Sequence, residues 1–552
     1  MCGVMLEKIA NPKEDLKGDP NSDPNTAPNT DPNRSGNTEI DLNPQFQEAL
    51  ALMENTHETL FITGKAGTGK STLLDYFCKH TQKNPVVLAP TGVAALNVSG
   101  QTLHRFFQFY VDVTPEKIIH KKTKPRNPKL YKKLQTLIID EVSMLRADLV
   151  DCMDVFLRIY GPHSSKPFGG IQMIFVGDLY QLPPVLGREE AHIFQSHYAT
   201  PYFFSAKALE SQALEVVELE TVYRQKHTPF VELLNKIRNN SVESEDIKKL
   251  NERYAQDDSA SLKDAFTLTL TPTNAKADAI NATHLESLPG KLYTHTALIQ
   301  GDFGKEYYPT AVHLDFKVGS QIMLLNNDSK KRWVNGSIGI IEAVAYDENM
   351  HEYVKVRLHD THKRISIYPF MWEVHTMAEE KGALVSQASG NFTQYPFRLA
   401  WAVTIHKSQG KTFHRVIIDM GRGAFASGQT YVALSRCTSF EGISLKVPIE
   451  KKHIRTDPRI YKFLTSHAYK KALETLPFQK KCSMIQRAIE KEKKLEMTYL
   501  KANDSKCVHV ITPLTVGEEI YERKTFTGMR AYDVGGEKRM FNVARILDLK
   551  EV

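Results

Sequence analysis

The chain has 552 residues, a hydrophobic content of 41%, and 71 Lys+Arg against 64 Asp+Glu, a formal net charge of +7. That length is three or four domains' worth at about 150 residues each, and the apolar content rules out a chain disordered throughout. No apolar run approaches the ~18 residues of a membrane span, Met1 to Lys17 holds no signal-peptide block, and six scattered cysteines (Cys2, Cys78, Cys152, Cys437, Cys482, Cys507) show no metal or redox spacing, so a reducing cytoplasm without structural zinc is expected.

Residues 1–40 carry the quasi-repeat DPNS, DPNT, APNT, DPNR, with Pro every fourth residue and nothing apolar to bury, and are expected to be a disordered tail. Order begins near Leu42: Asn43-Pro44 suits a helix start, and Phe46, Ala49, Leu50 and Met53 recur at helical spacing. Short apolar runs follow, TLFIT (59–63), PVVLA (85–89), TLIID (136–140), QMIFV (172–176), FTLTL (266–270) and RVIID (415–419), with helix-length segments between most of them. Such strands predict parallel sheets covered on both faces, here as two α/β domains. Residues 317–372 alternate apolar and polar residues between turns, which predicts a small antiparallel barrel inserted in the second domain. From Lys451 to Lys501 there are 14 Lys/Arg against 5 Asp/Glu, +9 by subtraction, in a zone where IQRAIEKEKKLEMTYLK suggests a charged amphipathic helix, either a solvated face or a nucleic-acid contact. Val508 to Val552 has strand-like runs (VHVIT, FNVARILDL) suited to a small β-rich module. The expected division is 1–40 tail, 41–225 first domain with an insertion at about 106–134, 226–450 second domain with its barrel at about 316–390, and 451–552 basic extension.

Gly64-Lys65-Ala66-Gly67-Thr68-Gly69-Lys70-Ser71 fits GxxxxGK[ST] between the strand LFIT and the helical STLLDYF, the setting of a phosphate-binding loop. Its glycines let backbone N–H groups curl around phosphates at a helix N-terminus. Lys70 would reach the β- and γ-phosphates, Ser71 would ligate Mg²⁺, and Thr72 joins the same turn. Asp140-Glu141 closes a buried strand, which suits Asp140 for Mg²⁺ and Glu141 for polarising the attacking water of an ATP.

In order the chain shows GKAGTGKST, APTGVAALNVSGQTLHRFF (89–107), IIDEVSML (138–145), VGDLYQLPPV (176–185), VYRQ (222–225), AVTIHKSQGKTF (402–413) and TYVALSRCTS (430–439). The series resembles the motifs of superfamily-one DNA helicases, and EVSMLRADLVDCMDVFLR (141–158) resembles a signature of the Pif-one-type family, as VGSQIMLLNND…WVNGSIGII (318–340) resembles its inserted barrel. The resemblance covers roughly residues 42–448. It implies two RecA-like domains with ATP and Mg²⁺ between them. It also implies adenine reading by Gln47 (17 residues before Gly64), with Gln45 as the alternative, γ-phosphate sensing by Gln181, two γ-phosphate arginines in Arg224 and Arg436, and a cleft lined by Gly410 and its neighbours in HKSQGKT. FNVARILDL resembles the end of WYL-type regulatory modules.

Thr91 and Gly92, small residues with free N–H groups, suit phosphate contacts, and aromatics near them suit base stacking. The resemblance places Thr91, His104, Asn274, Thr404 and His406 on single-stranded DNA. KKTKPRNPKLYKK (121–133), with seven Lys/Arg and no acid, matches the family's small wedge insertion and would make binding salt-dependent. The function expected is an ATP-dependent DNA helicase moving 5′-to-3′ on single strands and at single/double-strand junctions in replication, repair or recombination. The chain would be cytoplasmic, off the membrane and monomeric, with pairing on DNA left open. The alternatives are a RecD-like subunit of a recombination nuclease and a nucleotide-switched DNA-binding regulator.

Overall fold

The computed structural model describes residues 42–552 apart from 99, 111–112, 121–123, 226–227, 255–267, 331, 360, 381–382, 422 and 522–523. The tail expected over 1–40 and three positions of the cation-rich loop therefore lie outside the described residues. Order starts with the helix Pro44–Asn55, where the Asn43 side chain accepts from Phe46 N–H at 2.9 Å and Phe46, Ala49 and Met53 face inward.

Six strands form the first sheet: β1 Thr59–Gly64, β2 Pro85–Ala89, β3 Gln101–Thr102, β4 Thr136–Ile139, β5 Gln172–Val176 and β6 Leu214–Leu219. Their order is β3-β2-β4-β5-β1-β6 and every pairing is parallel. β1, β4 and β5 are buried along their whole length, as unbroken apolar runs require. A second parallel sheet orders Ala402–Thr404, Leu268–Thr271, Val416–Ile418 and Ile443–Leu445 side by side. One hydrophobic core runs through both bodies, joining Phe61 and Leu88 of the first to Leu270, Val403 and Ile418 of the second. The mixed α/β architecture is that read from the apolar runs, with the strands Gln101–Thr102, Leu214–Leu219, Ala402–Thr404 and Ile443–Leu445 added.

In chain order an antiparallel zone is inserted between Leu268–Thr271 and Ala402–Thr404 of the second sheet. Arg364–Ile367, Glu352–Leu358, Ile338–Tyr346, Gln321–Leu324 and Phe397–Leu399 pair in that order. The hydrogen-bonded ladder runs from one edge strand to the other as a five-stranded antiparallel sheet, and the small barrel expected there is not confirmed. A long hairpin, Phe370–Glu380 with Ala383–Gln394, adds Leu298–Gly301. This zone is fastened to the first body. Arg105 donates through Nη2 to the Asp302 carbonyl at 2.6 Å and to Ser389 Oγ at 2.7 Å, and Tyr307 Oη lies 2.7 Å from Thr102 Oγ1. Phe106 and Phe107 are core, packed edge-on to each other and to Tyr131 and Phe156.

The C-terminal part begins with the helices Pro458–Thr475 and Phe478–Glu490. The single charged helix expected over IQRAIEKEKKLEMTYLK stops at Glu490, Glu492 takes φ 50°, and Leu495–Leu500 is a strand. Leu495, Met497 and Tyr499 point inward on alternate residues, a period of two that decides for a strand. With Lys506–Tyr521, Lys524–Asp533, Lys538–Asn542 and Ile546–Glu551 it builds a five-stranded antiparallel sheet with its own core around Ile485, Met529 and Phe541. Among the described residues no helix is long and apolar enough to cross a membrane.

Candidate active site

In open parallel sheets, ligands bind beyond the carboxyl ends of the strands, and the motif residues stand there. β1 leads into the phosphate-loop sequence, β4 into Asp140-Glu141, β5 into Asp178 and Gln181, and β6 into Arg224. A cleft of about 650 Å³ collects Ala66 to Thr72, Asp140, Glu141, Gln181 and Arg224 from the first body, and Gly410, Thr412 and Arg436 from the second.

Gly67 takes φ 83°, and a Cβ there would lie 2.4 Å from the Arg224 Cβ, so only glycine admits this approach. Tyr223 N–H donates to the Gly67 carbonyl at 2.9 Å, which ties VYRQ to the loop. Gly69 takes φ 84° just before the helix Lys70–His80, whose first turn carries Ser71 and Thr72 exposed at the cleft. Lys70 Nζ donates to the carbonyls of Gly64 (2.7 Å) and Lys65 (2.9 Å). Burial lowers its pKa, against the opposing charges of Asp178, Glu141 and Asp140.

Asp140 Oδ1 accepts from Glu141 N–H at 2.8 Å, and burial raises its pKa. Glu141 sits at φ 52°, in the left-handed region, directly after the strand. Burial, and then the Asp140 charge, push its carboxyl up to about 7. Gln409 Nε2 donates to Glu141 Oε2 at 2.8 Å and to Gln181 Oε1 at 3.2 Å, so one amide from the second body holds two cleft residues of the first.

Arg436 is buried, donating to the carbonyls of Val432 (2.9 Å) and Lys411 (3.3 Å) and to Ser435 Oγ (3.0 Å). Burial pushes its pKa down to about 9, and the Arg224 charge adds to this. Arg224 Nη1 in turn donates to the Ser435 carbonyl at 3.3 Å. Behind the cleft, Tyr431 Oη accepts from Ala66 N–H at 3.0 Å and donates to Asp178 Oδ2 at 3.3 Å. Three cations, Lys70, Arg224 and Arg436, gathered with two acids, Asp140 and Glu141, suit phosphoryl transfer, which needs charge neutralisation more than covalent chemistry.

Gln47 does not join the cleft. Its amide donates to the Leu42 carbonyl at 2.8 Å, and Phe46 lines the cleft instead. One residue along a helix is a turn of about 100°, and burying Phe46 aims Gln47 away. The six residues assigned to DNA lie apart from the nucleotide cleft. Thr91 Oγ1 accepts from Ala94 N–H at 3.3 Å at the start of the helix Gly92–Asn97, His104 is half-buried in the helix Leu103–Phe107, and Asn274 is exposed at the start of the helix Asn274–Ser287. Thr404 is 4% exposed and its hydroxyl accepts from Lys407 N–H at 3.2 Å, so a strand would have to reach it through backbone or after a shift. His406 is half-buried and stacks on Phe425, centroids 6.4 Å apart, which is 60% exposed. Sequence reasoning missed Tyr431 and Asp178, and placed Gln409 at the cleft only as a neighbour of Gly410. All three lie inside motifs it quoted, and only the fold shows which motif residues meet.

The family model for the PIF1-like helicases matches residues 44–248. The human ATP-dependent DNA helicase PIF1 is 33% identical over 417 residues, which cover 74% of this chain and 61% of that protein, so the chain spans about three-fifths of this relative's length. The ATP-dependent DNA helicase Pif1 of Bdellovibrio bacteriovorus is 30% identical over 436 residues, covering 77% of this chain and 92% of that one. Among solved structures, Bacteroides sp. Pif1 is 34% identical. In complex with ADP-AlF4 it aligns with a TM-score of 0.71 over 78% of this chain and 97% of that one. Bound to single-stranded DNA it aligns with a TM-score of 0.56 over 78% of this chain and 98% of that one.

Proposed function

Because this chain belongs to the PIF1-like helicase family, we propose that it is an ATP-dependent DNA helicase that advances 5′-to-3′ along single-stranded DNA and splits the duplex ahead of it. The observation that carries this is the composition of the cleft: Lys70, Asp140, Glu141 and Gln181 from one parallel sheet face Gln409, Gly410 and Arg436 from the other. Lys70 and the loop N–H groups bind the phosphates of ATP, Glu141 takes the proton of the attacking water, and Gln181 orients that water. Arg224 and Arg436 neutralise the charge that develops on the transferred phosphoryl group.

The donor set also fits a divalent cation. Ser71 and Asp140 both line the cleft, and Asp140 Oδ1 is engaged by Glu141 N–H, leaving Oδ2 for a ligand. Mg²⁺ held there would offset phosphate charge. Since Gln409 bridges to Glu141 and Gln181 only when the bodies are together, hydrolysis and cleft closure are coupled, and alternate grip of the two bodies moves the strand. That Bacteroides Pif1 has been seen with ADP-AlF4 and with single-stranded DNA supports both ligands here. Lys70→Ala is expected to abolish DNA-stimulated ATP hydrolysis and unwinding of 5′-tailed duplexes with the fold retained by circular dichroism. Unwinding at the parent rate by this variant rejects the mechanism, and preference for a 3′ tail by the parent rejects the polarity.

A further inference from the structure

The C-terminal sheet reaches the hydrolysis site through one turn. Leu495–Leu500 and Lys506–Tyr521 are joined by Lys501–Ser505, closed by Asp504 N–H to the Lys501 carbonyl at 3.1 Å, with Asp504 at φ 62°. Asp is among the few side chains that enter the left-handed region readily, which suits it to this turn. Tyr180 donates its hydroxyl to Asp504 Oδ2 at 3.0 Å. Asn239 Nδ2 donates to the Asp504 carbonyl at 3.1 Å and to Ser505 Oγ at 3.2 Å. Lys506 Nζ pairs with Glu218 (2.9 Å) on β6 and with Glu220 (2.5 Å) just beyond it, on the segment that continues to Arg224.

Arg238 is the hub. It is 2% exposed, its Nη2 lies 3.5 Å from Asp178 Oδ1, its Nη1 lies 3.7 Å from Asp504 Oδ2, and its guanidinium sits 3.9 Å over the Tyr180 ring. Asp178 also accepts from Tyr431 Oη and, at 3.4 Å, from Gln181 Nε2. A buried arginine shared by two carboxylates divides its N–H donors between them, and low dielectric strengthens each pairing. Take away the Asp504 charge and Arg238 must draw harder on Asp178, the residue that holds Gln181.

We propose that the C-terminal extension completes the support of the hydrolysis site, with Asp504 acting as a positioning residue for Gln181 through Arg238–Asp178 and through Tyr180. This rests on the ATPase reading above and goes beyond it: the extension, which carries no motif of the motor, sets the turnover rate from behind the cleft.

The test uses the full chain with Asp504→Asn, Tyr180→Phe and the double variant. Asp504→Asn keeps shape and removes charge, while Tyr180→Phe keeps the ring on Arg238 and removes only the hydroxyl. Each single variant is expected to lower the DNA-stimulated kcat about fivefold or more, with KM for ATP and affinity for a non-hydrolysable ATP analogue within about twofold, the signature of a loss confined to the chemical step. The double variant is expected to match the worse single one, as two members of one route do. Parent-like kcat per folded molecule in the single variants, a loss that tracks the folded fraction, or losses that multiply in the double variant would each overturn the proposal. Should Asp504→Asn not fold, Tyr180→Phe decides the matter on the same criteria. A parent chain without ATPase activity overturns the activity reading and this one with it, whereas an active parent with unaffected variants overturns this one alone.

Discussion

Lys411 stands two residues past Gln409 with 8% of its surface exposed and its Nζ 3.3 Å from the Met323 thioether, a weak acceptor. Burial, helped by the Arg398 charge, pushes its ammonium down to about 7 from the usual 10.5. The folded value lies below the unfolded one, so between pH 7 and 10.5 the unfolded chain holds more protons. Stability therefore rises with pH across that window, and the penalty is fully felt below it. Lys411→Met, similar in shape and uncharged, is expected to raise stability at pH 6.5 by roughly 2 kcal/mol, with the gain shrinking towards pH 9. Urea unfolding at three pH values checks this; a gain independent of pH would rule out the buried charge as its source. Residues of this kind mark where reading stops. Lys70, Asp140 and Glu141 are readable because consecutive residues define their surroundings. Gln409 on Glu141, or Tyr431 between Ala66 and Asp178, is not readable, because each pairing joins positions more than two hundred residues apart.

At the scale of elements, the helix Pro458–Thr475 is a covering for the first sheet. Phe463 stacks on Phe204 at 4.1 Å and 6°, and meets Phe61 and Phe203 at 6.3 and 6.4 Å. Asp457, which caps this helix, also accepts from the Tyr202 hydroxyl at 3.3 Å. Phe463→Ala is expected to cost about 2 kcal/mol in chemical unfolding, below the usual core value since the ring is half-buried. An unchanged transition would show the helix to be loosely laid on. The parallel strands are readable as unbroken apolar runs flanked by loops. Leu495–Leu500 reads as helix because the lysines and glutamates before it continue the helical composition, while its own alternation spans only six residues.

Across the molecule, charge is less segregated than segment counts suggest. In the basic extension, Lys471 pairs with Glu48 at 2.9 Å, and Arg487 and Lys493 share Glu551, so distant acids offset part of the +9. The loop before β4 differs, with Lys124, Arg126 and Lys129 all exposed. Changing these three to Gln is expected to reduce the salt slope of single-strand binding by about 2, at about 0.7 for each phosphate left without its cation, with ATP turnover unchanged at saturating DNA. Titration at four salt concentrations checks it, and an unaltered slope leaves the loop without a role in grip.

The fastening of Thr102 and Arg105 to Tyr307, Asp302 and Ser389 bears on how the protein can be taken apart. In chain order a cut near residue 225 divides one body from the other, yet the segment that holds Thr102 and Arg105 in place is encoded some two hundred residues downstream. The covering ring of Phe463 comes from further still. A fragment expressed up to that cut would begin with orphaned polar groups and bare aromatics. In this chain truncation and swapping must accordingly respect contacts that cross both bodies and the C-terminal helices: a chain written in modules but assembled as a weave.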